Sequence, residues 1–454
     1  MLHVRRFPPR RVRRRRLESP AVARSLCRLA SITIAAFGPL AVFTALAAFT
    51  ATAVFTAAAA ASDWPQFRGA NRDAISTETD LLRKWPAGGP KVLWTRPVCD
   101  GYAAAAILDG RVYANDYDRK ASLWLVRCLS LDSGEELWQF SEKKRIRANH
   151  GITRTVPAVD EQHVFTLDPK CVLHCLDATS GKELWQKHLP SEYKTPIPPW
   201  YAGQCPLIEP DRVIVAPGGR AYLVALEKAT GKVLWETAND EPTLMSHSSV
   251  MPAEIDGVRQ YLHCNLKGVV GVGVDGKLLW KFPWKFNVSV PVSPLSIGDG
   301  RVFLTSCYEA ETVMIRVTRK NGSFTAEKVF SLGPGGWNSE VHTPILYQDH
   351  LFAVGKKRRG QFTCLDLDGQ ELWASKVRSG FGLGSYLLAD GMFFLLEGNT
   401  GILRLIEASP DGYNELDHAQ VLSGHDVWAP MALADGKLVL RDMAKMKCIE
   451  VGTP

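Results

Sequence analysis

Five times along this chain the sequence reads Gly-x-x-Leu-Trp: Gly134 to Trp138, Gly181 to Trp185, Gly231 to Trp235, Gly276 to Trp280 and Gly369 to Trp373. A sixth copy, Pro90 to Trp94, carries proline at the glycine position. Successive tryptophans lie 44, 47, 50, 45 and then 93 residues apart. The last interval holds two periods, with Glu327-Lys328-Val329-Phe330 in place of the missing copy. Such a period belongs to chains in which one small unit is stacked or arranged radially, because no unit can bury its faces alone.

A second landmark repeats beside the first. Apolar runs are separated by Asp109-Gly110, Asp160-Glu161, Asp211-Arg212, Asp256-Gly257, Asp299-Gly300, Asp349-His350, Asp390-Gly391 and Asp435-Gly436. Asp-Gly suits a tight hairpin because both residues tolerate positive φ. One unit reads in full: Val156 to Val159 as an inner strand, His163 to Leu167 as the second, Cys171 to Leu176 as the third, and Lys182 to Lys187 as the outer fourth. Four short antiparallel strands per period are a propeller blade. Eight turns predict an all-β, eight-bladed β-propeller. The first outer strand, Lys91 to Trp94, has no blade before it, and the last segment, Pro430 to Val451, has no outer strand after it. The two ends are therefore expected to complete blade eight together, which removes an exposed edge. The tryptophans are read as filling between adjacent outer strands.

The formal charge of +7 is concentrated at the start of the chain. Residues 1–61 hold ten arginines against Glu18, so the remainder is nearly neutral and lacks the cationic surface that phosphate binding requires. Nucleic acid is not an expected partner. The arginines precede an apolar run over 30–61 that ends in Ala59-Ala60-Ala61, the order of a signal peptide. The run is also long enough to span a bilayer, so an uncleaved membrane anchor is the alternative. Either way residues 62–454 are expected outside the cytoplasm, in the periplasm or cell envelope. Nine cysteines follow the leader. Cys128 and Cys175 hold one repeat position that Ala225 and Val270 fill elsewhere, with Cys364 one residue off, which reads as a small buried site.

The phrase Leu176 to Trp185, Leu-Asp-x-x-x-Gly-Lys-x-Leu-Trp, resembles the repeat of pyrroloquinoline quinone (PQQ) dehydrogenases and of the BamB-type assembly factors. Asp63 to Asp73 is similar to the opening of exported planctomycete-type propellers of that kind. The resemblance covers 63–451. It implies a quinoprotein-like fold, and it carries an activity to test: in the dehydrogenases a quinone lies on the propeller axis over calcium, between a tryptophan and, in many, a disulfide of adjacent cysteines. This chain has no adjacent cysteine pair, and no calcium-binding carboxylate and amide stand out by motif. PQQ with calcium therefore remains the alternative to a cofactor-free protein, and no catalytic residue or metal ligand is assigned. Gly333 to Gly336 and Pro217 to Gly219 lack the lysine and hydroxyl of a phosphate loop and read as turns, and Gly380 to Gly384 reads as a loose glycine run entering an inner strand.

Segments leading into inner strands converge on one mouth of a propeller's channel. Here they carry His150, Arg154, Trp200, His247, Trp337, His342, His425 and Trp428. Polar and aromatic side chains gathered from several blades make a ligand or peptide pocket. The expectation is a non-catalytic binding scaffold with a protein, peptide or small-ligand partner; a PQQ-dependent alcohol or sugar dehydrogenase is the second reading.

Overall fold

The computed structural model describes residues 63–453 apart from 148, 285, 287–289, 307–309, 334–335, 356–359 and 377–380. The leader expected over 1–61 lies outside the described residues, as do parts of the glycine runs at 333–336 and 380–384. Among the described residues no helix is long and apolar enough to cross a membrane.

Alternation of apolar residues over short runs, closed by tight turns, produces eight four-stranded antiparallel sheets. Blade one runs from Ala105–Leu108 to Glu136–Lys143, and blade two from Ala158–Val159 to Glu183–His188. Blades three to seven occupy 207–238, 251–283, 295–331, 345–374 and 386–420. Blade eight takes its three inner strands from the C-terminal segment and its outer strand, Val92–Pro97, from the beginning of the chain. Trp94 pairs with Cys448 across that closure.

The hairpin turns follow the expected chemistry with three departures, one of them Asp211-Arg212, where neither residue has positive φ and Arg212 already opens the second strand. Asp109-Gly110, Asp256-Gly257, Asp299-Gly300, Asp390-Gly391 and Asp435-Gly436 all have positive φ at both residues. Asp160 works differently: its carboxylate accepts from the N–H groups of Gln162 and His163 at 2.9 and 2.7 Å. In blade six the turn falls on Gln348-Asp349, φ 47° and 58°, not on Asp349-His350. His350 is already in the second strand, paired with Tyr347.

The repeated phrase joins neighbouring blades. Trp94, Trp138, Trp185 and Trp235 each lie over the repeat glycine of the next blade: a Cβ at Gly134 would fall 2.6 Å from the Trp94 ring, and one at Gly276 2.8 Å from Trp235. In three of these the indole N–H also donates to a carbonyl of that next blade, Trp94 to Leu131 at 2.7 Å, Trp138 to Ala178 at 3.1 Å and Trp185 to Lys228 at 2.8 Å, whereas Trp280 donates to Gln260 Oε1 of its own blade at 2.7 Å. Phe330 replaces tryptophan over Gly369 and keeps only the ring contact. So the glycine and tryptophan of one copy serve opposite interfaces. Within each sheet the residue facing the tryptophan is small: Cys128, Cys175, Ala225, Gly271, Cys364 and Cys448. Gly271, not Val270, holds that place in blade four, and Cys364 is in register after all, because the hairpins of those two blades are one residue shorter. The eight described cysteines are free thiols, seven of them buried.

Residues 63–82 do something the repeat does not announce. They enter the channel at the end bearing the hairpin turns, where Trp64 pairs with Ile107 of blade one. They leave beside blade seven, where Ile75 pairs with Leu388, and Glu78 accepts from Gly436 of blade eight at 2.8 Å. Between these points a compact turn crosses the axis. Arg68 donates to the carbonyls of Thr343 and Pro344 at 2.6 and 2.9 Å, and Arg72 to those of Pro206 and Cys205 at 2.8 and 3.2 Å. Both guanidiniums are buried, and burial lowers each to a pKa of about 10, so both stay charged at neutral pH. All three Arg68 nitrogens and the two terminal nitrogens of Arg72 meet carbonyl oxygens, which is what makes two buried cations tolerable. The channel is thereby plugged.

Candidate functional site

Above the plug lies a cavity of about 320 Å³ at the axial mouth, with Phe67 of the plug in its lining. Six of the eight residues expected there line it: His150, Arg154, Trp200, His247, His342 and Trp428. The other two are placed elsewhere. Trp337 is buried between blades five and six, donating to Thr363 Oγ1 at 2.9 Å and packed near Phe303. His425 points outward, its side chain 81 % exposed and 3.4 Å from Asp426. Sequence position brought both to the correct end of the propeller, but side-chain direction is decided by packing against the neighbouring blade.

Tyr102 is the residue that sequence reasoning missed. It stacks on Trp428, ring centroids 4.9 Å apart, and so joins blade one to the segment before blade eight. Its hydroxyl lies 3.4 Å from Asp426. The signal was present: Gly101-Tyr102 leads into the first inner strand, as the histidine segments do into theirs, but it contains no histidine.

The walls are held by a relay of hydrogen bonds between successive blades. Val156 N–H donates to Cys205 Sγ at 3.3 Å, Cys205 N–H to Ser249 Oγ at 3.0 Å, Ser249 N–H to Ser293 Oγ at 3.0 Å, and Ser293 N–H to Thr343 Oγ1 at 3.0 Å. These residues precede their inner strands, where converging backbones leave room only for short side chains that can accept. Cys205 is thus an acceptor in a structural relay, and burial pushes its thiol pKa up, away from the reactive thiolate.

Two histidines present neutral rings to the cavity. His247 Nε2 lies 2.9 Å from the Tyr201 carbonyl, and His342 Nε2 2.8 Å from that of Leu383. A carbonyl only accepts, so each Nε2 carries the hydrogen and each Nδ1 the lone pair. Both rings are partly buried, and both pKa values fall to about 4 through that burial, with the charges of Arg154 and Arg68 respectively adding to it. Arg154 spends its donors on the carbonyls of Trp200, Ile152 and Asn149 at 2.5, 3.3 and 3.4 Å. Its guanidinium carbon is 5.8 Å from the Tyr102 ring centre. No carboxylate lines the cavity among the described residues.

An eight-bladed propeller with a plugged channel and an aromatic mouth is the class these features define. Residues 124–375, more than half of the chain, match the PQQ-like repeat family described as outer membrane protein assembly factor BamB, and the chain belongs to that family. BamB of Yersinia pestis is 24% identical over 335 residues, 72% of this chain and 68% of that protein. Quinohemoprotein alcohol dehydrogenase ADH IIB of Pseudomonas putida is 25% identical over 247 residues, half of this chain but 29% of that protein. Among solved structures, BamB from Moraxella catarrhalis matches with TM-score 0.54 and 12% identity, over 79% of this chain and 97% of that one. Quinohemoprotein alcohol dehydrogenase from Comamonas testosteroni matches with TM-score 0.57 and 13% identity, over 87% and 81%. At these identities the structural likeness establishes the fold alone.

Proposed function

We propose that this protein is a non-catalytic binding propeller of the cell envelope, which holds a partner protein, peptide or small ligand at its axial mouth. The observation that carries this reading is the make-up of the cavity: stacked aromatic rings, two neutral imidazoles, and one guanidinium already committed to backbone carbonyls. Such walls bind apolar and aromatic groups and offer nitrogen acceptors. The similarity to BamB, an outer membrane assembly factor by name, and the basic-then-apolar order of residues 1–61 support the envelope as its location.

The second reading, a quinoprotein, rests on the similarity to a quinohemoprotein dehydrogenase. The described lining does not fit that cofactor. Calcium takes oxygen ligands, carboxylates above all, and PQQ is itself a tricarboxylate in need of cations. Among the described residues the cavity offers no carboxylate, and its one arginine, Arg154, is engaged by backbone carbonyls.

The test is a titration of the full-length chain with PQQ and calcium, followed by absorbance and by dye reduction with alcohols and sugars. No binding is expected. Stoichiometric binding with dye reduction would overturn the non-catalytic reading. For any partner recovered, Tyr102→Ala with His342→Ala should abolish binding while far-ultraviolet dichroism stays unchanged.

A further inference from the structure

Where blade eight, the blade shared by the two ends of the chain, meets blade one, the two sheets leave a cavity of about 240 Å³ between them. It shares no lining residue with the axial mouth. Its apolar lining comes from Val98, Ala114, Leu129 and Met446, and its charged lining from three arginines, Arg96, Arg127 and Arg441, with Asp116 and Glu136.

The repeat explains the room. Two residues after its tryptophan, blade one has Phe140, whose ring packs across the next interface, 6.0 Å from His174 of blade two. The same position in blade eight is Arg96. Its Nε donates to the Gly134 carbonyl at 2.5 Å, as Thr237, at the same repeat position, donates to that of Gly276 at 2.8 Å. A threonine has no donor left after that bond. An arginine keeps two terminal nitrogens, and those of Arg96 have no partner among the described residues.

The other two arginines are matched. Arg127 lies 3.3 Å from Asp116 and 2.5 Å from Glu136. Arg441 is buried 3.8 Å from Asp116, with its nitrogens on the carbonyls of Asp442, Asn115 and Cys99. Asp116 also accepts from the N–H groups of Cys99 and Tyr117. Three guanidiniums against two carboxylates leave one positive charge, and it belongs to Arg96.

We infer that this cavity binds a small organic monoanion, with its carboxylate on the terminal nitrogens of Arg96 and its apolar body against Val98, Ala114, Leu129 and Met446. A guanidinium fork matches a carboxylate with two parallel hydrogen bonds. The volume equals that of about eight waters at ~30 Å³ each, which suits a compact acid and not a peptide. A second negative charge on the ligand would meet Asp116 and Glu136 without a cation of its own.

Isothermal titration calorimetry of the full-length chain with hexanoate, hexanol and inorganic phosphate tests this. Hexanoate should bind, and the neutral alcohol and the phosphate should bind at least about tenfold more weakly, since the charge-assisted bonds or the apolar contacts are then missing. Arg96→Met should lower hexanoate affinity by a similar factor. Ala114→Leu fills the cavity and leaves every charge in place, so it should abolish binding by bulk alone; urea midpoints report whether each variant is folded. Failure of hexanoate to bind the parent chain would overturn the site. Equal affinity for hexanol would overturn the role of Arg96, and hexanoate binding undiminished in both variants would place the acid elsewhere and overturn the site as well.

Discussion

The backbone N–H of Ser249 donates to the hydroxyl of Ser293, 3.0 Å away in the next blade, and Ser293 passes the bond on to Thr343 at the same distance. One blade thus satisfies a buried polar group of the last, and does so with the smallest side chain that has an acceptor. Ser293→Ala removes that acceptor and leaves the Ser249 N–H orphaned among buried neighbours, at a cost of about 1–3 kcal/mol. Ser293→Thr should be far milder. Urea denaturation of the two variants checks this, and equal stabilities would show that the relay contributes nothing.

Gly231 makes a sharper case. Its φ is 70°, and a Cβ there would meet the Trp185 ring at 2.7 Å. Gly257 has the same φ with nothing within 4 Å. Gly257→Ala should cost about 1 kcal/mol from backbone strain alone, and Gly231→Ala about 2–4 kcal/mol because the indole must also move. The difference between the two variants isolates the contact between blades. If they are equally stable, the tryptophan adjusts freely and the repeat glycine is needed only for its turn.

These two pairs also explain what could be read from the chain beforehand. The Gly–Trp repeat is a local phrase, and its period and its turns gave the blade count and the shared eighth blade, because each copy closes its own strands. Val270 was misplaced against Gly271 because a hairpin shortened by one residue shifts register without changing composition. Trp337 was assigned to the mouth because position along a blade fixes height, whereas its side chain packs against Thr363 of blade six. The plug was invisible for a stronger reason. Arg68 and Arg72 find their acceptors in blades six and three, and nothing near them in sequence marks those carbonyls as partners.

The shared eighth blade predicts that the start of the propeller cannot be trimmed. Deleting residues 63–97 would unpair the strand Lys445–Glu450 and remove Trp94 from over Gly134. An exposed edge and an open seam invite aggregation. The expected outcome is loss of cooperative unfolding or of soluble protein. A truncated chain melting cooperatively at an unchanged temperature would refute closure by that strand.

Stability against pH should turn on histidines with opposite signs. His174 is fully buried, its Nδ1 2.7 Å from Glu183 and its Nε2 3.7 Å from Asp168 and 3.9 Å from Glu142. Lys144 stands among the same acids, 2.6 Å from Asp168 and 2.9 Å from Glu142, and the rings of Trp124 and Phe140 flank His174. Burial opposes the charged imidazole, but Asp168 and Glu183 outweigh it and raise its pKa above the ordinary 6.5. Its contribution is complete below pH 6.5 and is lost as pH rises through the raised value. His247 and His342 behave oppositely. Their folded values are about 4, so between pH 6.5 and 4 the unfolded chain takes up protons that the folded chain refuses, and stability falls as pH drops. Asp168, lowered below 3.8 by His174 and Lys144 against the effect of burial, adds a loss at still lower pH. Thermal midpoints should peak near pH 6.5. His174→Gln should flatten the alkaline side and leave the slope between pH 6.5 and 4 intact; an unchanged alkaline slope would show that His174 is neutral throughout.

Arg72 offers the most direct test of the plug. It is fully buried, with Gln66 Oε1 at 3.0 Å and the carbonyls of Pro206 and Cys205 at 2.8 and 3.2 Å, and it lies 5.7 Å from the Phe67 ring. Arg72→Met keeps the apolar volume but strips these acceptors of their donor, so the loss should reach about 2–4 kcal/mol. Arg72→Lys should rescue little, because one ammonium cannot span acceptors set for a planar fork. Phe67 is carried on the same turn and lines the mouth cavity, so loosening the plug should also weaken whatever the mouth binds. Limited proteolysis between residues 63 and 82 gives the readout that separates the two effects. Cleavage in the folded variant but not in the parent would mean that the plug has left the channel while the blades remain closed. Resistance in both, at equal stability, would mean that the arginine is not what holds it there.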